Sequence, residues 1–514
     1  AFAIRALWLD SQSLWRDEVD ALRFASSAWP ELRAGFTRMG FNGPFYHLLL
    51  RGWVSLAGQS ETALRFFSLW WGVLGVVLTY ALGRRLFGRR AGLIAALLSA
   101  LSPYLVWYSQ EAKMYTLVPA LVLLALAGLH RAVSGGGWRW WAVTAVATSL
   151  AFYSHILAAL LIPLHVALFL VWWRRARTRW RGALISLACL TLPYLPLLAW
   201  QWRLVAQPRE TGFPRYGLGP MALVLLNAWS VGMARLGAPA EQLAAGLMAA
   251  AGAWGLCSPA LLRTGGGIGS TAASRAACAD RAALLIWLAL PVLSVALIST
   301  WQPIFTDRYL IWSAPALYLL VGAGLDVLAR RGWTLRWLGG LLLGAILVFD
   351  TLALHQQVTV PLKSDVRAAA AYIAANAAVQ HPPQTARPHR VYLPHVVAGG
   401  SAPARAGTLI LFQIPYIRYT FDYYYPVKDY AWAEGPYTNA RTADGEYAMG
   451  AGQVAAHLRD VTAPYQSVWL VLSEAEMWDE RGLTLAWLEA NAQRVDEAHF
   501  TRVDVYRYVL PGAP

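Results

Sequence analysis

Residues 63–90 read ALRFFSLWWGVLGVVLTYALGRRLFGRR, an apolar run closed by Arg84, Arg85, Arg89 and Arg90. A helix of this length crosses the roughly 30 Å of hydrocarbon in a bilayer. Arginines gathered just beyond its end mark the cytoplasmic side, because positive loops are retained there. Further runs of the same kind lie near 91–108, 114–132, 139–153, 155–173, 182–202, 242–262, 282–300, 309–329 and 334–354, predicting about ten spans. The stretch 219–234 is apolar but short and contains Asn227 and Ser230, and it reads as re-entrant or interfacial.

The loop charges test this count independently. Arg131 and Arg139 flank one connection, and Arg174, Arg175, Arg177, Arg179 and Arg181 fill another. Arg263, Arg275 and Arg281 follow, then Arg330, Arg331 and Arg336. Every second connection is basic and the intervening ones are not, as the positive-inside rule requires. The outer side then receives residues 10–62, 109–113, 154–155, 203–218, 301–308 and everything after 355. Ala1 to Leu9 read as the last turns of an apolar helix, so a further spanning segment is expected upstream.

Composition agrees. The chain has 514 residues, 57% hydrophobic and only 14% charged, with a mean hydropathy of +0.41; soluble domains carry about 25% charged residues. The net charge of +15 sits in short clusters between apolar runs. That distribution argues for membrane topology and against a nucleic-acid partner. Cys189 and Cys257 fall in apolar segments and Cys278 in an expected cytoplasmic loop, with no spacing that suggests a disulfide framework or a zinc site.

After Leu354 the pattern changes. Strands are expected at Arg390–Val397, Thr408–Pro415, Ser467–Ser473 and Val503–Leu510, with helices at Asp365–Ala378, Gln453–Arg459 and Leu483–Ala492. The alternation predicts a small extracytoplasmic α/β domain over 355–514. The fold class is thus a polytopic α-helical membrane protein with a C-terminal α/β domain. An outer loop of amphipathic helices over 1–62 precedes the membrane domain, 63–354.

Candidate chemistry lies on the outer face. Asp17 and Glu18 follow Ser13-Leu14-Trp15-Arg16, where a partly buried carboxylate can deprotonate an acceptor hydroxyl. An acidic pair in a loop is more often a solvated surface. Glu111 and Lys113 occupy a very short connection, reading either as an interfacial pair or as ligands for a sugar or divalent cation and for a phosphate. Arg308, with Tyr309, enters a span from the outer side, where it grips a lipid phosphate or snorkels to headgroups. His155 lies between two spans on the same side.

These segments resemble polyprenyl-phosphate-sugar glycosyltransferases of the GT-C superfold, the relatives of protein O-mannosyltransferases and aminoarabinose lipid A transferases (family 39 and its neighbours). Ser13 to Glu18 is similar to the SLW-x-DE signature of that group. Asn42-Gly43-Pro44-Phe45-Tyr46-His47-Leu48-Leu49-Leu50 resembles its PPLYYLLL segment, and Ser102-Pro103 through Tyr115 its SP…YSQEARMY motif. Tyr153-Ser154-His155 matches a Y-x-H step, and Arg308-Tyr309 with Pro315 an RY…P motif. The resemblance covers about residues 10–330.

It implies an inverting transferase of the cell (inner) membrane that moves a monosaccharide from a polyprenyl-phosphate donor to a lipid, protein or glycan acceptor. Asp17 would be the base and Glu18 its support. Glu111 would bind sugar or a divalent metal, His155 would line the cavity, and Lys113, Arg308 and Tyr309 would hold the phosphate. Asn42 and Gly43 depart from relatives that carry an acidic residue and lysine there, which weakens the case for a metal at that position. The alternatives are a flippase of lipid-linked precursors and a non-catalytic subunit of the same fold.

Overall fold

A computed structural model describes residues 1–37, 42–191, 213–257, 270–377, 407–442 and 444–511. The chain divides into two compact units: Ala1–Leu9 with Ala21–Val360, and Asp10–Asp20 with Pro361–Pro514.

The first unit is an apolar helical bundle. Among the described residues, four helices are long and apolar enough to cross a membrane, or up to six if each of two bent pairs forms one span. The pairs are Arg89–Leu101 with Pro103–Ser109, bent by 57°, and Ile156–Val171 with Trp173–Thr191, bent by 84°. The runs read separately as 155–173 and 182–202 therefore meet at a sharp break. Leu117–Val133 and Trp138–Ser154 are helices of 17 residues each. The short stretch near 219–234 forms the helix Leu218–Val231. Cys278, expected in a loop, lies instead within the helix Ser270–Ser299. Three arginines had suggested a loop there, but an alanine-rich segment propagates helix through isolated charges.

Local chemistry sets the helix ends. Ser60 caps Glu61–Phe87 by accepting from the Ala63 amide, and the helix stops at Gly88 with φ of 95°. A left-handed residue there closes the last turn without a Cβ clash. At the 57° bend, Ser102 caps the next helix and Pro103 occupies its first turn. The carbonyls orphaned at the end of Arg89–Leu101 are met by Arg5, which donates from Nη2 to Ser99 O (2.9 Å) and from Nη1 to Ala100 O (2.7 Å). Arg5 is fully buried and also bonds Ser109 Oγ at 3.1 Å. A guanidinium fits this role because its planar donors serve several oxygens at once.

The apolar window of the helix in Asp307–Arg330 is entirely buried, which places it at the centre of the bundle. Small residues let its neighbours close in. A Cβ on Gly324 would lie 2.4 Å from the Ala251 carbonyl oxygen, and one on Gly322 would lie 2.6 Å from that of Ala91. In lipid, close backbone packing replaces the hydrophobic drive between helices. The basic connections hold a polar network. Arg175 donates to both carboxylate oxygens of Asp280 at 2.9 and 3.3 Å, Trp172 donates to Oδ1 at 3.0 Å, and Arg85 donates to His130 Nδ1 at 2.9 Å.

The second unit contains a five-stranded sheet of β1 (Thr408–Phe412), β2 (Ala431–Glu434), β3 (Ser467–Ser473), β4 (Gln493–Phe500) and β5 (Val503–Val509). The order is β2-β1-β3-β5-β4. β1 pairs parallel with β2 and β3, whereas β5 runs antiparallel to β3 and β4. One face packs Val366, Ala370 and Ile373 over Ile410, Phe412 and Trp469; the other packs Val454, Leu458 and Leu488 over Leu409, Val468 and Leu470. The expected strands near 408, 467 and 503 form, as do helices Val366–Ala377, Ala451–Thr462 and Leu483–Asn491. The strand expected at 390–397 lies outside the described residues. β2 and β4 were not anticipated, because both are edge strands with little burial and carry no clear apolar alternation.

Candidate active site

Five of the sequence-selected residues, Glu111, Lys113, His155, Arg308 and Tyr309, belong to the first unit; Asp17 and Glu18 belong to the second. In the first unit the break after Pro103–Ser109 gives an irregular turn before Leu117. Within it the Lys113 amide donates to Glu111 O at 2.8 Å. Ser68 Oγ donates to Lys113 O at 3.1 Å, and Thr116 Oγ1 donates to Ser68 O at 2.7 Å, so a packed helix holds the turn. Glu111 is buried at 1% exposure.

Three other stretches meet this turn. A Cβ on Gly43 would meet Ser154 O at 3.4 Å, the His47 ring at 3.5 Å and Met114 at 3.7 Å, and its φ of 84° favours glycine. Asn42 Oδ1 accepts from the Ile156 amide at 3.0 Å, tying this segment to the His155 turn. The His155 ring meets that of Tyr309 with centroids 4.9 Å apart. Arg308 lies 5.8 Å from the Tyr115 ring, and the rings of Tyr108 and Tyr115 are 5.2 Å apart. Tyr108 donates to Asp307 Oδ2 at 3.2 Å. Sequence reasoning passed over Asp307, Tyr108, Tyr115 and His47. Tyr108, Tyr115 and His47 lie within the quoted motifs, and Asp307 abuts Arg308, so each stood beside a signal already read.

The electrostatics follow from this crowding. Burial, with the charges of Arg308 and Lys113, pushes the His155 imidazole down to about 3. Burial and Lys113 do the same to His47, also to about 3. Both rings are neutral at physiological pH. His155 Nδ1 accepts from the Leu157 amide at 3.2 Å, so its single proton sits on Nε2. That Nε2–H is buried and has no hydrogen-bond partner among the described residues. Lys113 and Arg308 therefore supply positive charge beside a neutral, uncommitted donor. Such a set suits an oxyanion with hydroxyls nearby.

In the second unit, Asp17 stands in the first turn of the helix Arg16–Ser26. Arg16 Nε lies 3.9 Å from its carboxylate. Glu18 is fully buried and differently engaged, accepting from Lys363 Nζ at 2.9 Å and from the Trp15 amide at 3.3 Å. Gln12 Oε1 accepts from the Leu362 and Lys363 amides at 2.8 and 2.9 Å, and Ser13 Oγ donates to Ser364 O at 2.6 Å. This loop is thus stapled to the start of the C-terminal segment. Among the described residues no group of three or more His, Cys, Asp or Glu side chains could hold a metal ion. Glu111 by itself does not make such a site.

A family model described as dolichyl-phosphate-mannose-protein mannosyltransferase matches residues 42–200, a span that takes in the Gly43, Lys113 and His155 segments. Comparison with curated proteins by sequence finds no match. Among solved structures, ArnT from Cupriavidus metallidurans in the apo state aligns with a TM-score of 0.56 and 15% identity, covering 98% of this chain and 96% of that one. The same protein bound to undecaprenyl phosphate aligns at 0.53 and 14%, with the same coverage. The oligosaccharyltransferase AglB from Archaeoglobus fulgidus, in complex with an inhibitory peptide and a dolichol-phosphate, aligns at 0.50 and 13%, covering 90% of this chain and 66% of that one. The chain is a multi-pass membrane protein with the GT-C fold of these glycosyltransferases.

Proposed function

We propose that this protein is an inverting glycosyltransferase that moves a monosaccharide from a polyprenyl-phosphate donor to an acceptor hydroxyl on the outer side of the membrane. The observation that carries the reading is the meeting of Lys113, His155, Arg308 and Tyr309, from three separate stretches of chain, in one half-buried cluster. As the bond to the anomeric carbon breaks, negative charge grows on the departing phosphate. Preorganised cations stabilise that charge more than they stabilise the ground state, which lowers the barrier. The neutral Nε2–H of His155 and the Tyr309 hydroxyl serve as orienting donors, and Glu111 accepts from a sugar hydroxyl.

Asp17 is assigned as the base that takes the acceptor proton, on the similarity of the Ser13–Glu18 segment to the family signature. Glu18, already bonded to Lys363 and the Trp15 amide, positions that loop. The fold and the family match support a lipid-phosphate sugar donor as a class; the sugar itself is left unassigned. Purified protein incubated with radiolabelled polyprenyl-phosphate sugars tests the proposal. Transfer of label is expected, with its loss in Arg308→Ala. A protein that translocates these lipids across vesicles without transferring label would instead be a flippase.

A further inference from the structure

β1 and β3 are parallel neighbours, but the chain leaves their carboxyl ends in opposite directions. From β1 it turns through the helix Ile417–Tyr424 to β2, on one flank; from β3 it turns through Ala475–Trp478 and Leu483–Asn491 to β4 and β5, on the other. The crevice where such connections diverge is where open α/β sheets bind ligands, since no crossover covers it.

The residue that ends β1 at this crevice is Gln413. Its side chain is fully buried, and neither Oε1 nor Nε2 has a hydrogen-bond partner among the described residues. A buried amide left with both ends unmet is costly, so it calls for an explanation. Gly435, at the end of β2, backs directly onto it: a Cβ there would lie 3.2 Å from Gln413 Oε1. Trp478 donates its indole N–H to Gly435 O at 3.2 Å, which ties an aromatic side chain to the glycine that backs onto Gln413. Tyr437 and Tyr416 flank Trp478, with ring centroids 4.5 and 5.8 Å away. Both tyrosines are 44% exposed. They come from the two diverging connections and the end of β2, and they meet only at this edge.

We infer that this edge is a carbohydrate-binding site of the second unit. An aromatic row with an amide behind it suits a neutral polyhydroxylated ring. The C–H faces of the sugar lie on the rings, while hydroxyls give to Gln413 Oε1 and take from Nε2 once the row shifts to admit them. The Arg16 guanidinium lies 5.0 Å from the Tyr416 ring centroid, which places a further donor at that end of the row. As the acceptor subsite of the transferase, this role rests on the function proposed above. Sugar binding in itself does not.

The test is binding of soluble hexasaccharides of mannose, glucose and N-acetylglucosamine to the full-length protein in detergent, read by saturation-transfer difference NMR. At least one is expected to bind, with Tyr416→Ala and Tyr437→Ala weakening it at least tenfold and Tyr416→Phe leaving it unchanged. Gln413→Met is expected to raise the thermal midpoint of the sugar-free protein while abolishing binding; a merely structural glutamine would show the first effect alone. Absence of binding by all three sugars, or binding undiminished in both alanine variants, overturns the inference. Because transfer from the lipid donor is measured separately, failure here leaves the transferase reading standing, and the reverse also holds.

Discussion

The His155 ring packs against that of Tyr309 at 4.9 Å, bringing the end of the helix Trp138–Ser154 onto the turn that carries Arg308. The contact matters because burial, reinforced by the charges of Arg308 and Lys113, holds His155 neutral. A neutral imidazole donates one proton without repelling the two cations. The site therefore concentrates positive charge in two side chains and keeps its remaining donors uncharged.

Arg308→Ala is expected to lower the rate of sugar transfer by about 10²–10³-fold, the usual loss when one donor to a developing oxyanion is removed. Arg308→Lys should recover little of it, since an ammonium cannot reproduce paired planar donors. Lys113→Met should act in the same direction. Rates with a radiolabelled polyprenyl-phosphate sugar decide this, and a near-normal Arg308→Ala rate would remove the arginine from the mechanism.

Asp17→Asn should reduce transfer by about 10²–10⁴-fold, the range for general-base catalysis, with donor binding and thermal midpoint unchanged. Asp307→Asn is the control. Asp307 is bonded to Tyr108, so its loss should disturb the geometry around Arg308 and raise the KM for the donor lipid. If Asp307→Asn abolishes turnover while Asp17→Asn does not, the base has been assigned to the wrong carboxylate.

The buried Lys363–Glu18 pair gives a stability prediction. Removing one partner strands the other charge away from water, at about 3–5 kcal/mol. Lys363→Met should therefore lower the thermal midpoint clearly, and Glu18→Leu combined with Lys363→Met should restore much of it. A double variant as unstable as the sum of the singles would show that the two groups act independently.

The depressed His47 and His155 values predict acid sensitivity. In the unfolded chain each protonates near 6.5, whereas in the folded protein each stays neutral down to about 3. The unfolded state then binds more protons in that window, so stability present above pH 6.5 is lost as pH falls toward 3. The slope is about 1.4 kcal/mol per pH unit for each histidine well inside the window. Melting curves between pH 7 and 4.5 should show the decline, less steep in His47→Gln. A midpoint independent of pH, or equal slopes in the two proteins, would contradict it.

The membrane class and the α/β character of the C-terminal segment were legible in residue order alone. Solvation by lipid is a local requirement, met span by span with apolar runs and loop arginines, so it leaves a local record. The same holds for capped starts such as Ser60 and for half-buried strands such as β3. What sequence could not give was partnership between distant residues. Glu18 was read as a support for Asp17, and nothing near it in sequence shows its buried partner Lys363, 345 residues away. Gln413 fell within the strand expected at Thr408–Pro415, whereas the observed strand ends at Phe412, and only the divergence of two connections makes its unmet amide conspicuous. Edge strands β2 and β4 likewise had no strong pattern, because strands with one neighbour need little apolar surface. Long-range contacts depend on how the chain closes on itself, and no window of sequence contains that information.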